Sequence, residues 1–307
     1  MAVLAVVSAV GLVADDRVLV GSPIWFKPLK FAVSFALYGL TLAWMLARRP
    51  APSRIGWWAG TVVAVTGAVE MAVIVGQTVR GRRSHFDVAT PLDQALFQVM
   101  GATIVALWLA TFVIAGLQFR GGRGTDRAAT WAVRLGAVIA LVGLALGGLM
   151  LMPTPDQQAA AAHGIRDVIG AHSVGVPDGG PTMPLTGWST TGGDLRIPHF
   201  VGMHAMQALP LFLLGLDALG RRAPRLRAAR VRLRLVLVAA GFLTGLLALV
   251  TWQALRGQPL VHPDAATLGA LTALLAATAG GTYAALRAPS RTDDSATPSA
   301  IAQEVTA

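Results

Sequence analysis

The chain has 307 residues, of which 54% are hydrophobic and only 13% are charged, and its formal net charge is +10. Soluble domains carry about a quarter of charged residues, so this composition predicts an integral membrane protein. The chain contains no cysteine, which excludes disulfides, thiolate metal sites and thiol catalysis. Basic residues in cytoplasmic loops explain the positive charge, so we expect a lipid bilayer as partner and no nucleic acid.

Apolar runs of nearly 20 residues predict the transmembrane helices. They lie at about 2–14, 30–47, 56–78, 93–118, 131–152, 198–218, 233–254 and 265–287. The first run is short for a full span, and a signal peptide or a mis-assigned start are the alternatives for it. We therefore predict an all-α integral membrane protein with about eight transmembrane helices.

Loop charges predict how the chain is oriented. With a cytoplasmic N-terminus, the inner segments hold most of the basic residues, above all in RRAPRLRAARVRLR at 221–234. This predicts an N-in, C-in protein of a cytoplasmic membrane, with a disordered cytoplasmic tail at 289–307. Binding of anionic lipid head groups is an alternative explanation for the arginines of 221–234.

Polar side chains of unusual type concentrate on the predicted outer side. All six histidines, at 85, 163, 172, 199, 204 and 262, fall in outer loops or at outer helix ends, and so do both lysines, Lys27 and Lys30. The positive-inside bias acts against this placement of the lysines. We therefore expect the binding site or the chemistry on the outer side.

Two short motifs recur along the chain and indicate a duplication. QTVRGRRSHFD begins at Gln77 and QALRGQPLVHPD begins at Gln253, and both read Q-x-x-R-G followed by His-x-Asp. Span two begins with Lys30-Phe31 where span six begins with His199-Phe200. This pattern predicts two parallel four-helix repeats, 1–128 and 129–288, and the second repeat contains an extracytoplasmic loop at 153–197.

Span three carries Glu70, Gln77 and Arg80 on one helix face. A carboxyl group as deep in a membrane as Glu70 is costly and indicates function, although a protonated Glu70 in a structural hydrogen bond is the alternative. Arg80 and Arg256 each precede a glycine, which predicts helix ends with a left-handed C-terminal cap. Capping explains much of Q-x-x-R-G, but not its Gln.

The stretch GDLRIPHFVGMHAMQALP leads into span six. Arg196, His199 and Gln207 form one helical stripe with His204 beside it, and Pro210 predicts a kink. We expect this stretch to form one wall of an outward-facing pocket.

The His-x-Asp pairs are not taken as metal sites, because Asp264 is a predicted N-cap of the last span, as Thr90 is of span four. We therefore predict no metal. If a haem or metal is bound, the candidate ligands are His204, His199, His85 and His262.

WFKPLKF, RGRRSHFD and DLRIPHFVGMHAMQ resemble motifs of a family of uncharacterised bacterial multi-spanning membrane proteins, from span two to span six. That resemblance implies no activity. The two four-helix halves are also similar in outline to haem A synthase, a family that pairs histidines across each half. The first half here has only His85, so no residue is carried over.

The favoured hypothesis is a polar, outward-facing site between the repeats that binds or transports an anionic small molecule or lipid head group. The alternative is a membrane redox enzyme with b-type haem or quinone, so whether the chain is an enzyme stays open, and no catalytic residue is assigned. The predicted ligand-binding residues are Lys27, Lys30, Glu70, Gln77, Arg80, His85, Arg196, His199, His204, Gln207, Gln253 and Arg256.

Overall fold

The computed structural model describes residues 1–49, 51–120 and 126–287, so the predicted tail at 289–307 lies outside the described residues. The elements are almost all helical. The helices are α1 Ala2–Ala14, α2 Phe26–Ala47, α3 Arg54–Val79, α4 Pro91–Arg120, α5 Arg127–Leu146, α6 Pro155–Ala162, α7 Arg196–Met203, α8 Ala205–Gly220, α9 Ala229–Leu255 and α10 Ala265–Arg287. Strand β1 (Val18–Leu19) pairs with β2 (Ser22–Pro23), and β3 (Ser173–Val174) pairs with β4 (Gly193–Asp194), both antiparallel.

Within the described ranges, six helical stretches are long and apolar enough to cross a membrane, and the bent pair α7–α8 makes a seventh when it is counted as one span. The fold is therefore that of an all-α, multi-pass membrane protein, as predicted. Helix α1 has 13 residues and is shorter than a span. The count of eight, the orientation and the repeats stay predictions.

The bend in the sixth predicted span lies at His204, whereas we expected it at Pro210. Helices α7 and α8 meet there at 46°, and Pro210 lies inside α8. A Cβ built on Gly202 of α7 would lie 2.5 Å from the Cα of Gly143 in α5, so the two backbones are in direct contact. The ring of His199 is also hydrogen-bonded to the Gly143 carbonyl at 2.9 Å. Packing against α5 thus fixes α7, and α8 takes a new direction after it.

The described chain forms two compact units, each built from more than one segment. Unit 1 comprises Met1–Ile114, Ala145–Arg196 and Ala254–Val261. Unit 2 comprises Ala115–Leu144, Ile197–Gln253 and the chain from His262 onward. The loop at 153–197, assigned above to the second repeat, thus belongs almost entirely to unit 1, whereas the repeats themselves stay a prediction.

The core of unit 1 consists of apolar contacts between its long helices. Ala32 of α2, Ile74 of α3 and Met100 of α4 are buried together. At the other end of these helices, the Tyr38 hydroxyl is hydrogen-bonded to the hydroxyl of Thr111 in α4. These contacts hold α2, α3 and α4 together, and these helices carry the polar side chains of unit 1 described below.

The predicted helix ends are confirmed. The Thr90 hydroxyl accepts a hydrogen bond from the Asp93 amide at 3.1 Å, and the Asp264 carboxylate accepts one from the Thr267 amide at 2.8 Å. Gly81 and Gly257 have φ of 68° and 70°, the left-handed conformation that terminates a helix after each Arg.

Candidate functional site

Three cationic side chains of unit 1 lie close to one another. Lys27 and Lys30 are near the start of α2, three residues apart and therefore on one face. Arg196 is the first residue of α7, and it interacts electrostatically with both lysines. Two helix starts thus bring three positive charges together.

The hydrogen-bond partner of Lys27 is an imidazole nitrogen. The Lys27 ammonium group lies 2.8 Å from Nδ1 of His85, a ring nitrogen that can accept from it. The same ammonium lies 5.7 Å from the ring centroid of Phe31. In the part of the chain that the structure describes, neither Lys27 nor Lys30 is within ion-pair distance of a carboxylate.

Lys30 is covered by a turn of the long loop. Its ammonium donates to the carbonyl of Thr186 at 2.9 Å and lies 4.3 Å from the ring centroid of Phe26. The following residue, Gly187, has φ of 68°, and a Cβ there would lie 3.4 Å from the Lys30 nitrogen. A glycine therefore suits this position both by conformation and by close approach to the lysine.

Arg196, unlike the lysines, is fully engaged in an ion pair. Its guanidinium binds Asp194 in bidentate fashion, with Nε–Oδ1 at 2.9 Å and Nη2–Oδ2 at 2.5 Å. It also donates to the Gly187 carbonyl at 2.6 Å. The Asp194 side chain is wholly buried and accepts from the Ser189 amide as well. Arg196 therefore anchors the loop that covers Lys30.

His172 and Asp178 organise another turn of this loop. The carboxylate of Asp178 contacts Nδ1 of the His172 ring at 2.8 Å and accepts from the backbone amides of His172 and Ser173. Burial by itself raises the pKa of Asp178, but its hydrogen bonds with His172 and Ser173 outweigh burial and hold the pKa well below its usual range. Burial lowers the pKa of His172, against the effect of Asp178 and with that of Arg196 and Lys27. A neutral His172 therefore donates to an ionised Asp178.

Two imidazoles of unit 1, those of His85 and His172, lie against one phenyl ring. The centroid of Phe86 is 6.0 Å from that of His85 and 4.9 Å from that of His172, both in edge-on geometry. Phe86 has φ of 69°, which is uncommon for a bulky residue, so the surrounding contacts hold it in place.

Glu70 is fully buried in α3 and lies below this group. Its Oε1 accepts from the Thr103 hydroxyl at 2.5 Å, while Oε2 is buried with no hydrogen-bond partner among the described residues. Glu70 and Lys27 interact electrostatically. Glu70 therefore acts as a counter-charge to Lys27. Its Oε2 is available to a proton or to a hydrogen-bond donor.

Gln77 and Arg80 bond within the protein. Arg80 donates to Oε1 of Gln77 and, at 2.8 Å, to Oδ1 of Asp93. Gln77 donates to Asp93 at 2.9 Å and to the Arg83 carbonyl at 3.1 Å. This network joins the end of α3 to the start of α4, so the Q-x-x-R-G motif has a structural explanation in its first copy.

The remaining predicted residues are divided between the two units. His199, His204, Gln207 and Gln253 belong to unit 2, where His204 is hydrogen-bonded to Gln207. In the same unit, His262 is exposed. Arg256 belongs to unit 1 and is exposed. The structure therefore brings together Lys27, Lys30, Glu70, His85 and Arg196.

Several polar partners were not predicted. Asp93 is the third residue after Thr90, a spacing typical of an N-terminal capping box, and the two side chains are hydrogen-bonded to each other. Arg232 in unit 2 is buried and contacts Asp126 at 2.9 Å and Asp217 at 3.0 Å. No local pattern indicates that second network, because its members are far apart in the chain.

Across residues 1–49, 51–120 and 126–287, no group of three His, Asp or Glu side chains is arranged to hold a metal ion. In comparisons with known proteins, no family model, no curated protein and no solved structure matches the chain.

Proposed function

We propose that this membrane protein binds, and carries across or along the membrane, a small anion or the anionic head group of a lipid. The site is at the start of α2, on the side that we take to be outward-facing. The observation that carries the proposal is the environment of Lys27 and Lys30. Both ammonium groups are half-buried and near a third cation, and their partners are an imidazole nitrogen, a carbonyl and aromatic rings.

Charge balance favours an anionic ligand at this position. Partly buried cations are stable when an opposite charge and further hydrogen bonds compensate them. Arg196 has such compensation from Asp194, whereas the hydrogen-bond partners of the lysines are an imidazole nitrogen and a backbone carbonyl. A phosphate or carboxylate group between the lysines would supply the missing charge and accept from both ammonium groups.

The neighbours of the lysines have distinct tasks in this proposal. His85 orients the Lys27 ammonium, and the turn at Thr186 closes over Lys30. Arg196 holds that turn in place through the Gly187 carbonyl. Glu70 lies further along α3 from the helix end. When the ligand neutralises the charge of Lys27, the Glu70 carboxylate binds a proton or accepts a hydrogen bond.

Thermal unfolding of the purified full chain in detergent tests the proposal. The probes are inorganic phosphate and a short-chain phosphatidylglycerol, each titrated at constant ionic strength, which separates a free anion from a lipid head group. A ligand at 100 times its Kd stabilises by about 2.7 kcal/mol, which is a shift of several degrees in Tm. We expect a saturable shift with one of the probes, and its loss in Lys27→Gln and Lys30→Gln.

Two further variants separate binding from folding. Arg82→Gln changes an exposed arginine at the same helix end and should leave both Tm and the anion-dependent shift unchanged. Arg80→Gln should lower Tm, because it removes a contact to Asp93, yet keep the shift. Equal shifts in both lysine variants and the wild type, or no shift with either probe, would rule out the proposed site. A haem absorption band in the purified protein would instead favour a redox enzyme.

A further inference from the structure

Unit 2 contains a cavity of about 500 Å³ between α8, α9 and α10. Its walls extend from 208 to 216 in α8, from 235 to 243 in α9 and from 278 to 286 in α10, and Leu226 closes one end. Each wall covers a rise of about 12 Å, so the cavity is a slot that follows the helices. That length is close to one leaflet of the hydrocarbon core, which is about 30 Å thick in total.

The inside of the slot is apolar. Its lining is Leu, Val, Ala and Phe side chains apart from two threonines. The hydroxyl of Thr278 donates to the Leu274 carbonyl at 2.7 Å, as threonines commonly do within a helix. A hydrocarbon chain fits such a lining, because no polar group of the ligand would have to be desolvated.

The end of the slot near Leu226 and Leu286 is strongly basic. Arg225 and Arg227 flank Leu226, and Arg225 donates to the Leu286 carbonyl at 3.4 Å. Arg221 and Arg222 follow directly on α8, and the segment 221–227 contains no acidic residue. All four arginine side chains are exposed. The arginines of 221–227 thus place positive charge at one end of the apolar slot.

We propose that this slot binds one anionic phospholipid, with an acyl chain between α8, α9 and α10 and the phosphate on the arginines of 221–227. Lipid tails run parallel to spanning helices, and the slot has this direction and the length of one leaflet. The arginines select the head group: a net negative lipid gains from them, whereas a zwitterionic head group brings its own cation and a quinone carries no charge. This site is separate in the sequence from the lysine site and does not depend on it.

Native mass spectrometry of the delipidated full chain tests the proposal. The probes are phosphatidylglycerol and phosphatidylcholine with identical acyl chains, and ubiquinone as a competitor. We expect one phosphatidylglycerol to remain bound, at least fivefold more tightly than phosphatidylcholine. Arg222→Gln and Arg225→Gln should each weaken it about fivefold, since one basic residue near anionic lipid contributes roughly that factor. Ala239→Phe, which fills the slot, should abolish binding.

Matched variants make the outcome specific. Ala273→Phe adds the same ring on an exposed face of α10, and Arg54→Gln removes an exposed arginine at the start of α3; both should bind phosphatidylglycerol like the wild type. Lys27→Gln should also leave this binding intact. Equal affinity for the two phospholipids, displacement by ubiquinone, or equal effects of Ala239→Phe and Ala273→Phe would overturn the assignment. If Ala239→Phe does not fold, the arginine variants still decide.

Discussion

At the scale of single residues, the His172–Asp178 pair links the shape of the long loop to pH. The Asp178 carboxylate accepts from the His172 ring and from two backbone amides, and Arg196 and Lys27 are the other charges that act on His172. Burial makes the folded protein bind a proton at His172 less readily than the unfolded chain does. Stability that depends on neutral His172 is therefore complete above its ordinary pKa of about 6.5 and decreases as pH falls below it.

We expect the turn at 172–178 to loosen when pH falls from 7.5 to 5. Asp178 stays ionised over this interval because its pKa is lowered, and its own contribution is lost only below about pH 4, as the carboxylate takes up a proton. Hydrogen exchange of the loop amides, corrected for the intrinsic effect of pH, measures this loosening. His172→Gln should remove the pH dependence. Stronger protection at pH 5 than at pH 7.5 would contradict the prediction.

At the scale of helices, Gly143 of α5 and Gly202 of α7 are in direct backbone contact beside the bend of the sixth predicted span. A Cβ on either glycine would lie 2.4–2.5 Å from the other's Cα, and backbone atoms cannot rotate away as a side chain does. Gly202→Ala should therefore push α7 away from α5 and destabilise the protein by about 1–3 kcal/mol. Thermal unfolding in detergent measures this loss.

Gly215→Ala is the matched control in the same bent span, because a Cβ there has open space around it. Alanine is the better helix former, so this variant should be as stable as the wild type or more stable by up to about 1 kcal/mol. A Gly202→Ala protein as stable as Gly215→Ala would show that the close approach does not hold α7.

The helices and their ends could be predicted from the sequence, because hydropathy and caps are local. Thr90, Asp264 and the two Arg-Gly turns are of this kind. The bend at His204 could not be predicted, since no local signal marks it, and the helix before it packs against Gly143, which lies 61 residues earlier in the chain. Pro210 was the local signal, and it lies within a continuous helix.

In the candidate site, too, features that depend on nearby residues could be predicted, whereas partners from distant parts of the chain could not. Lys27 and Lys30 stood out by spacing and by their predicted side of the membrane, and the structure places both near the start of α2. Arg80 also stood out, but its partner Asp93 belongs to the next helix and engages it within the protein. The pairing of His172 with Asp178 depends on the fold of a loop, for which hydrophobic periodicity carries no information.

At the scale of the whole molecule, the orientation in the membrane can be tested with a chain that already lacks cysteine. Single cysteines at the exposed positions Arg166 and Arg222 report the two predicted sides. With a membrane-impermeant maleimide on intact cells, Arg166→Cys should be labelled, and Arg222→Cys only after permeabilisation. The positive-inside distribution is the physical reason for this expectation. The reverse labelling would invert the orientation, and with it the outward position of the lysine site.

The turn over Lys30 also affects how fast a ligand enters and leaves. The carbonyls of two consecutive residues, Thr186 and Gly187, bond to Lys30 and Arg196. A ligand that reaches Lys30 from the side of this turn would take the place of the Thr186 carbonyl, so the turn would open before such a ligand enters and before it leaves. Once opening of the turn is the slow step, a higher ligand concentration no longer accelerates binding. The residence time is then a property of the loop, and even a ligand of modest affinity stays bound for long.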